Sequence, residues 1–302
     1  MKIAVIGIGA MGSYYAAKLS KDNDVIAFEH YENKIRTVNQ NGINLIENDQ
    51  TTNYKVHVYS DGSYKHVQDL IILCVKATQT QEALKANMDL IDDHTIVLSL
   101  QNGLGNIRDI SRFVDIDNIV VGSSRVNLVN EDINSVRVTG EGTTYIGSAG
   151  NDKKDVQIVK VLFDKAGFVC EKSEDIKTLI WQRAIIHSII YPLCSIFKCK
   201  IKVVYENNYI FDLAKAIAEE ACKVASSDGA HVNYEDLMAE FRTTAYNVGN
   251  SYPSMYFDVT NQKITEIDKL NGTIVNLGYK NKIETPFNVF ALNAIKGIEK
   301  LY

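Results

Sequence analysis

Short apolar runs alternate with helical periodicity through the first half of the chain. Lys2–Ile6, Val25–Phe28, Leu70–Val75, Thr95–Leu100 and Ile119–Gly122 are short and rich in β-branched residues, which predicts buried strands. Met11–Lys21, Gln79–Ile91 and Asn106–Phe113 carry the intervening helical spacing. Residues 42–60 read as loop with one short strand, because only Val56-His57-Val58-Tyr59 alternates. Val136–Ser148 is β-branched and punctuated by glycine, which predicts an antiparallel hairpin. A helix over Asp155–Ala166 and a strand over Phe168–Glu171 complete this half.

From Ser173 the period becomes purely helical. The expected helices are Asp175–Phe197, Asn208–Ser227 (ended by Gly229), Tyr234–Asn247, Gln262–Gly278 and Pro286–Leu301. Ile264, Ile267, Leu270, Ile274 and Leu277 form one apolar face, and Thr285-Pro286 reads as an N-cap followed by proline at the first helical position. The fold class expected is therefore α/β. A doubly wound parallel sheet over residues 1–172 is joined without a flexible linker to an all-helical domain over residues 173–302. Such an arrangement predicts a substrate cleft between a cofactor domain and a helical one.

The first predicted strand runs into Gly7-Ile8-Gly9-Ala10-Met11-Gly12, and a helix opens directly behind it. Strand, G-x-G-x-x-G and helix together are a dinucleotide-binding signal, whereas the glycines alone would not be. Gly7 permits the tight turn, Gly9 admits a pyrophosphate to the backbone, and Gly12 allows close helix–strand packing. The helix N-terminus offers its free N–H groups to the phosphates. Glu29 ends the second predicted strand, where a carboxylate accepts hydrogen bonds from the adenosine ribose and repels a 2′-phosphate. That favours NAD over NADP; Arg36 belongs further along a helix.

Composition narrows the partners. The chain has 302 residues, 46% hydrophobic and 23% charged, which is ordinary for a globular protein of two domains. A net charge of −5 without a basic run argues against a nucleic-acid partner. Five scattered cysteines without a C-x-x-C pair predict free thiols in a reducing cytoplasm, with neither disulfide framework nor metal centre. The fingerprint starts too early to leave room for a targeting peptide. The apolar stretch Leu179–Phe197 contains Gln182, Arg183 and His187, so it reads as a buried helix and not as a membrane span. His30, His57, His66, His94 and His231 have no metal-ligand spacing and read as surface or loop residues.

Three later segments bear on the reaction. Leu73-Cys74-Val75-Lys76 puts a lysine just past one strand, and Gln101-Asn102-Gly103 puts amides just past the next, both at the ligand-binding edge of the sheet. Downstream, Pro253-Ser254-Met255 precedes Thr265-Glu266-Ile267-Asp268, followed by Asn271-Gly272. With the fingerprint, this ordered set resembles the ketopantoate reductase family over essentially the whole chain. The resemblance implies an N-terminal Rossmann-type domain, a helical C-terminal domain, and NAD(P)H-dependent reduction of a 2-oxo acid to a D-2-hydroxy acid. It further implies that Lys76 and Asn102 contact the nicotinamide end and the substrate, and that Ser254 binds substrate. Glu266 would hold the nicotinamide ribose, and the backbone near Leu128 would make another cofactor contact. Homodimerisation is common in the family and is expected here on that ground alone.

One helix departs from the family pattern. W-x-K-x-x-x-N-x-x-x-N-P-L becomes Trp181-Gln182-Arg183 with His187, Tyr191, Pro192 and Leu193 in register. Arg183 thus stands at the lysine proton donor, and His187 and Tyr191 stand at the substrate asparagines. Residues 183, 187 and 191 are four apart, one stripe on a helix otherwise rich in isoleucine. Arginine is permanently protonated, a poor acid and a good carboxylate clamp. Two assignments stand at this point. Either Arg183 clamps the substrate while His187 delivers the proton, or His187 only binds and Lys76 or water delivers it. Structural readings also stand: Arg183 as an ion-pair partner of Glu266 or Asp268, and His187 and Tyr191 as core residues. A reductase for another oxo acid or an imine, and a dinucleotide-binding regulator without catalysis, are the rival functions.

Overall fold

A computed structural model describes residues 1–302, which divide into two compact units. The first comprises Met1–Gln101 and Asn106–Ile176; the second comprises Asn102–Gly105 and Lys177–Tyr302.

In the first unit the chain runs β1 (Lys2–Ile6), α1 (Ala10–Leu19), β2 (Asp24–Phe28), α2 (Glu32–Asn41), β3 (Ile43–Glu47), β4 (Gln50–Tyr54), β5 (His57–Tyr59) and β6 (Leu70–Leu73). It continues through α3 (Thr80–Ala86), β7 (Ile96–Ser99), α4 (Asn106–Ile110), β8 (Ile119–Ser124), β9 (Asn127–Asp132), β10 (Ser135–Gly140), β11 (Thr144–Ser148), α5 (Lys154–Lys165) and β12 (Cys170–Lys172). An eight-stranded sheet has the order β12-β11-β8-β7-β6-β1-β2-β5. From β8 to β5 every pairing is parallel, and β11 closes antiparallel on β8. Alternate residues of a strand face opposite sides, yet Ile3, Ala4, Val5 and Ile6 are all buried, so both faces of the sheet are covered. The chain leaves β1 for β2 on one side and returns through β6 on the other. The carboxyl ends of β1 and β6 are therefore the switch point at which open α/β sheets bind ligands.

The predicted hairpin over Val136–Ser148 is not formed. β10 and β11 lie in different sheets: β10 pairs with β3 and β9, and β11 pairs with β8 and β12. Gly140 and Gly142 mark a crossing between sheets and not a turn, and a side chain at Gly142 would strike the Arg125 carbonyl. The second sheet, β4-β3-β10-β9, is not predicted because residues 42–60 carry three strands where loop and one short strand are expected; that expected strand is β5, in the first sheet. The overlooked signal is Asn48-Asp49, with φ of 50° and 60° at both positions, between paired Glu47 and Gln50. Two consecutive positive φ values make the primed two-residue turn that suits a twisted hairpin, here built without glycine.

The second unit contains α6 (Ile176–Phe197, entered at the end of the first unit), α7 (Ile201–Glu206), α8 (Asn208–Ser227), α9 (Tyr234–Asn247), α10 (Ser254–Thr260), α11 (Asn271–Lys280) and α12 (Pro286–Glu299). Helix α6 is long and apolar enough to cross a membrane, but 67% of its most apolar stretch is buried, as suits a core helix. The helix expected over Gln262–Gly278 is corrected to a single 3-10 turn at Ile267–Lys269 followed by α11. Gln262 has φ of +55°, and Glu299 accepts from both the amide and hydroxyl of Thr265 at 2.8 and 2.7 Å, which holds the segment extended. Ile264 is consequently 61% exposed, while Ile267, Leu270 and Ile274 are buried.

In the first unit Tyr15 stacks on Phe163 with centroids 5.3 Å apart, and both rings pack on Phe168. The Tyr15 hydroxyl meets Ser124 and Thr144, which also bond to each other at 3.1 Å. Phe163→Ala is expected to destabilise this unit by about 3–5 kcal/mol. Tyr15→Phe should cost only about 1 kcal/mol, since Ser124 and Thr144 keep a partner. Urea midpoints of the two variants check the ranking.

Candidate active site

The glycine fingerprint has the geometry its spacing predicts. Gly7, at φ of +88°, ends β1 beside β6, and a side chain there would meet the Val75 backbone at 2.8 Å. A Cβ on Gly12 would fall on the Gly7 carbonyl oxygen, so helix and strand touch because both residues lack side chains. Gly9 is different: it is exposed and nothing lies within 4 Å of its would-be Cβ. Gly9 also N-caps α1 without a side-chain cap, leaving first-turn N–H groups for an anion. Ile8 is buried in the core, so only its backbone is available, while Ala10 and Met11 are partly covered. Bare backbone beside uncapped N–H groups fits a dinucleotide pyrophosphate.

Glu29 is buried at the end of β2. Its Oε1 accepts from the His30 and Tyr31 amides at 2.9 and 3.4 Å and lies 3.1 Å from His30 Nδ1. These bonds pin the carboxylate at the strand end, the position a ribose diol requires. Arg36 is exposed on α2, bonded to Asn33. Lys34, not singled out from sequence, lies near Glu29: burial lowers its pKa and the Glu29 charge raises it. Leu128 pairs with Val138 in the four-stranded sheet.

Lys76 follows β6 and caps a 3-10 turn, Ala77–Gln79. The side chain of Gln101, part of the Gln101-Asn102-Gly103 motif, joins two loops at this edge. Gln101 Nε2 donates to Val75 O at 2.8 Å and Thr80 Oγ1 at 2.9 Å, and Oε1 accepts from Ser99 at 3.0 Å. Position just past a strand is the available signal; the acceptors of Nε2, Val75 and Thr80, are remote in sequence. Asn102, the next residue, is exposed and belongs to the second unit, where Leu104 N donates to Lys269 O at 2.7 Å.

The second unit brings Arg183, His187, Tyr191, Ser254 and Glu266 together. His187 and Tyr191 stack with centroids 4.5 Å apart and planes at 14°. Burial raises the Tyr191 pKa; Arg183 and a hydrogen bond to Ser254 lower it, and the charges of Glu266 and Asp258 raise it. Burial, then the Arg183 charge, hold the His187 pKa well below its ordinary value. Its buried Nδ1 has no hydrogen-bond partner within the protein. Asp268 is engaged by Lys296 at 2.9 Å. The group offers a cation, a hydroxyl, and a phenol stacked on a neutral imidazole, which suits recognition of a small carboxylate.

Two outcomes follow. Gly9→Ala should leave the melting temperature within about 2 °C but weaken NADH binding, whereas Gly12→Ala should destabilise by about 1–3 kcal/mol as well. Calorimetric titration with NADH and thermal unfolding separate them. His187 binds a proton more readily unfolded than folded, so its contribution is fully present above about pH 6.5 and is lost as pH falls below that value. Between pH 6.5 and its depressed folded pKa, wild type should lose up to about 1.4 kcal/mol per pH unit that His187→Asn does not. Urea midpoints at pH 7.5 and 5.5 measure the difference.

Family models match both units: "Ketopantoate reductase PanE/ApbA" over residues 3–151 and its C-terminal counterpart over residues 175–299. The 2-dehydropantoate 2-reductase of Pyrococcus abyssi is 30% identical over 303 residues, covering 100% of this chain and 99% of that protein. The Pyrococcus horikoshii enzyme is 31% identical, with 100% and 98% covered. Among solved structures, D-mandelate dehydrogenase with NADH and anilino(oxo)acetate superposes with a TM-score of 0.93 at 26% identity, covering 99% of each chain. A putative 2-dehydropantoate 2-reductase from Enterococcus faecalis gives 0.81 at 29%, covering 100% and 99%. An α/β cofactor unit, a helical unit and full-length likeness to these reductases establish that the chain belongs to the ketopantoate reductase family, as an NAD(P)H-dependent oxidoreductase acting on CH–OH groups.

Proposed function

We propose that this protein reduces a bulky or aromatic 2-oxo acid to the D-2-hydroxy acid with NADH, in preference to ketopantoate with NADPH. The observation that carries the reading is the Arg183–His187–Tyr191 stripe, in which a cation adjoins two stacked rings where the family places lysine and two asparagines. Asparagines present hydrogen bonds to a hydroxylated substrate; a flat ring pair presents an apolar wall. The likeness to a D-mandelate dehydrogenase holding anilino(oxo)acetate supports the same direction.

The nicotinamide, when bound, supplies the hydride. Arg183 clamps the substrate carboxylate with paired N–H donors, and the Tyr191–Ser254 pair orients it. His187 stays neutral at physiological pH, so it binds and does not serve as the acid. Lys76 supplies the proton, Asn102 contacts nicotinamide and substrate, and Glu266 holds the nicotinamide ribose. The fingerprint backbone takes the pyrophosphate, and Leu128 belongs to the cofactor-contacting backbone by resemblance. Glu29 supports NAD, because its pinned carboxylate would repel a 2′-phosphate. The five free thiols agree with a cytoplasmic setting, and a homodimer is carried over from the family.

Oxidation of NADH and NADPH is followed with ketopantoate, 2-oxo-2-phenylacetate and branched 2-oxo acids. NADH with an aromatic or branched acid should give the highest kcat/KM. Arg183→Gln should raise KM for the acid by about 10–150-fold, the worth of charged hydrogen bonds, without changing that for NADH. Fastest turnover of ketopantoate with NADPH would refute the substrate reading. Tight NADH binding with no turnover on any acid would favour a non-catalytic binder.

A further inference from the structure

Helix α6 contains Pro192 in its interior. Proline has no N–H, and its ring crowds the carbonyl four residues earlier. That carbonyl belongs to Ser188, directly after His187, so the site-bearing helix lacks the usual donor where the stripe passes from His187 to Tyr191. The missing donor comes from elsewhere in the fold. Asn271, at the start of α11, sends Nδ2 to Ser188 O at 3.1 Å, and both residues are wholly buried.

Asn271 is itself held. Its Nδ2 also donates to Asn288 Oδ1 at 3.0 Å. Asn288 Nδ2 donates to Ile217 O at 3.2 Å and Glu220 Oε2 at 2.8 Å. Glu220 accepts the Phe287 and Asn288 amides at 2.9 Å each, capping α12 where the Thr285 side chain does not. A buried polar chain thus links α6, α11, α12 and α8 through the apolar core. Such a chain is costly where a member lacks a partner, as Asn271 Oδ1 does within the protein, and its paired members favour one arrangement over its neighbours.

We propose that Asn271 is a positioning residue: it replaces the helical donor that Pro192 removes, and thereby sets the turn of α6 that presents His187 and Tyr191 to substrate. The inference rests on the functional reading of that stripe. Asn271 works through α6 and not by touching substrate.

A double-mutant cycle tests it. Asn271→Leu removes the external donor, and Pro192→Ala returns an N–H to the helix. Asn271→Leu alone should lower kcat on the best 2-oxo acid by about tenfold or more, with KM for NADH within about twofold. In the Pro192→Ala background the same substitution should cost less than about threefold. The His187 imidazole NMR signals, assigned with His187→Asn, should move in Asn271→Leu and return towards wild type in the double variant. If Asn271→Leu does not fold, Asn271→Ser, too short to reach the carbonyl, enters the same cycle. Equal losses in both backgrounds, or a lower melting temperature with unmoved His187 signals, would overturn the proposal. The NMR arm needs no turnover, so an inactive wild type would refute the functional reading while leaving the positioning test intact.

Discussion

Burial of a polar stripe inside an isoleucine-rich helix is the constraint on which the second unit turns. Helix α6 supplies Ile185, Ile186, Ile189, Ile190 and Leu193 to the core, yet carries Arg183, His187 and Tyr191 along the same length. Water cannot solvate these groups freely, so each is defined by neighbours: His187 stacks on Tyr191, and Tyr191 bonds Ser254. The consequence is chemical. Desolvation and the Arg183 charge hold the His187 pKa well below its ordinary value, so the apparent pH-7 acid of the sequence is a neutral imidazole in the fold.

The first unit obeys a steric constraint instead. The N-terminus of α1 aims at a ligand only if helix and strand approach as closely as Gly12 and the Gly7 carbonyl do. Close packing at those two glycines and open space at Gly9 divide the labour, one pair building the turn and one residue leaving the backbone bare. The β1–β6 switch point then decides which loops can matter. Gln101, bonded across to Val75 and Thr80, ties two of them together next to Lys76.

Legibility followed the range of the interactions. The parallel strands, most long helices and the fingerprint were readable because alternation, helical period and glycine spacing are local. Asn208–Ser227 and Tyr234–Asn247 match their observed helices end to end, since Asn207 and Asn233 cap them with their own side chains. Apart from the local Asn48-Asp49 turn, the misreadings involve remote partners. Thr265 is held out of a helix by Glu299, and β10 is claimed by β3 and β9 instead of pairing with β11. The N-terminus of α12 looked self-capped by Thr285, but the acceptor is Glu220, from a distant helix.

By itself the sequence determined the two architectures, the dinucleotide motif, and the unusual Arg183–His187–Tyr191 register, because each is written in residue types at fixed short spacing. Tertiary structure decided what those residues are: which are neutral, which are pinned, and which orphaned backbone groups find donors. The Ser188 carbonyl shows the reason. Pro192 announces the missing hydrogen bond within four residues of sequence, but its replacement comes from Asn271, more than eighty residues away, and only a folded core brings the two within 3.1 Å.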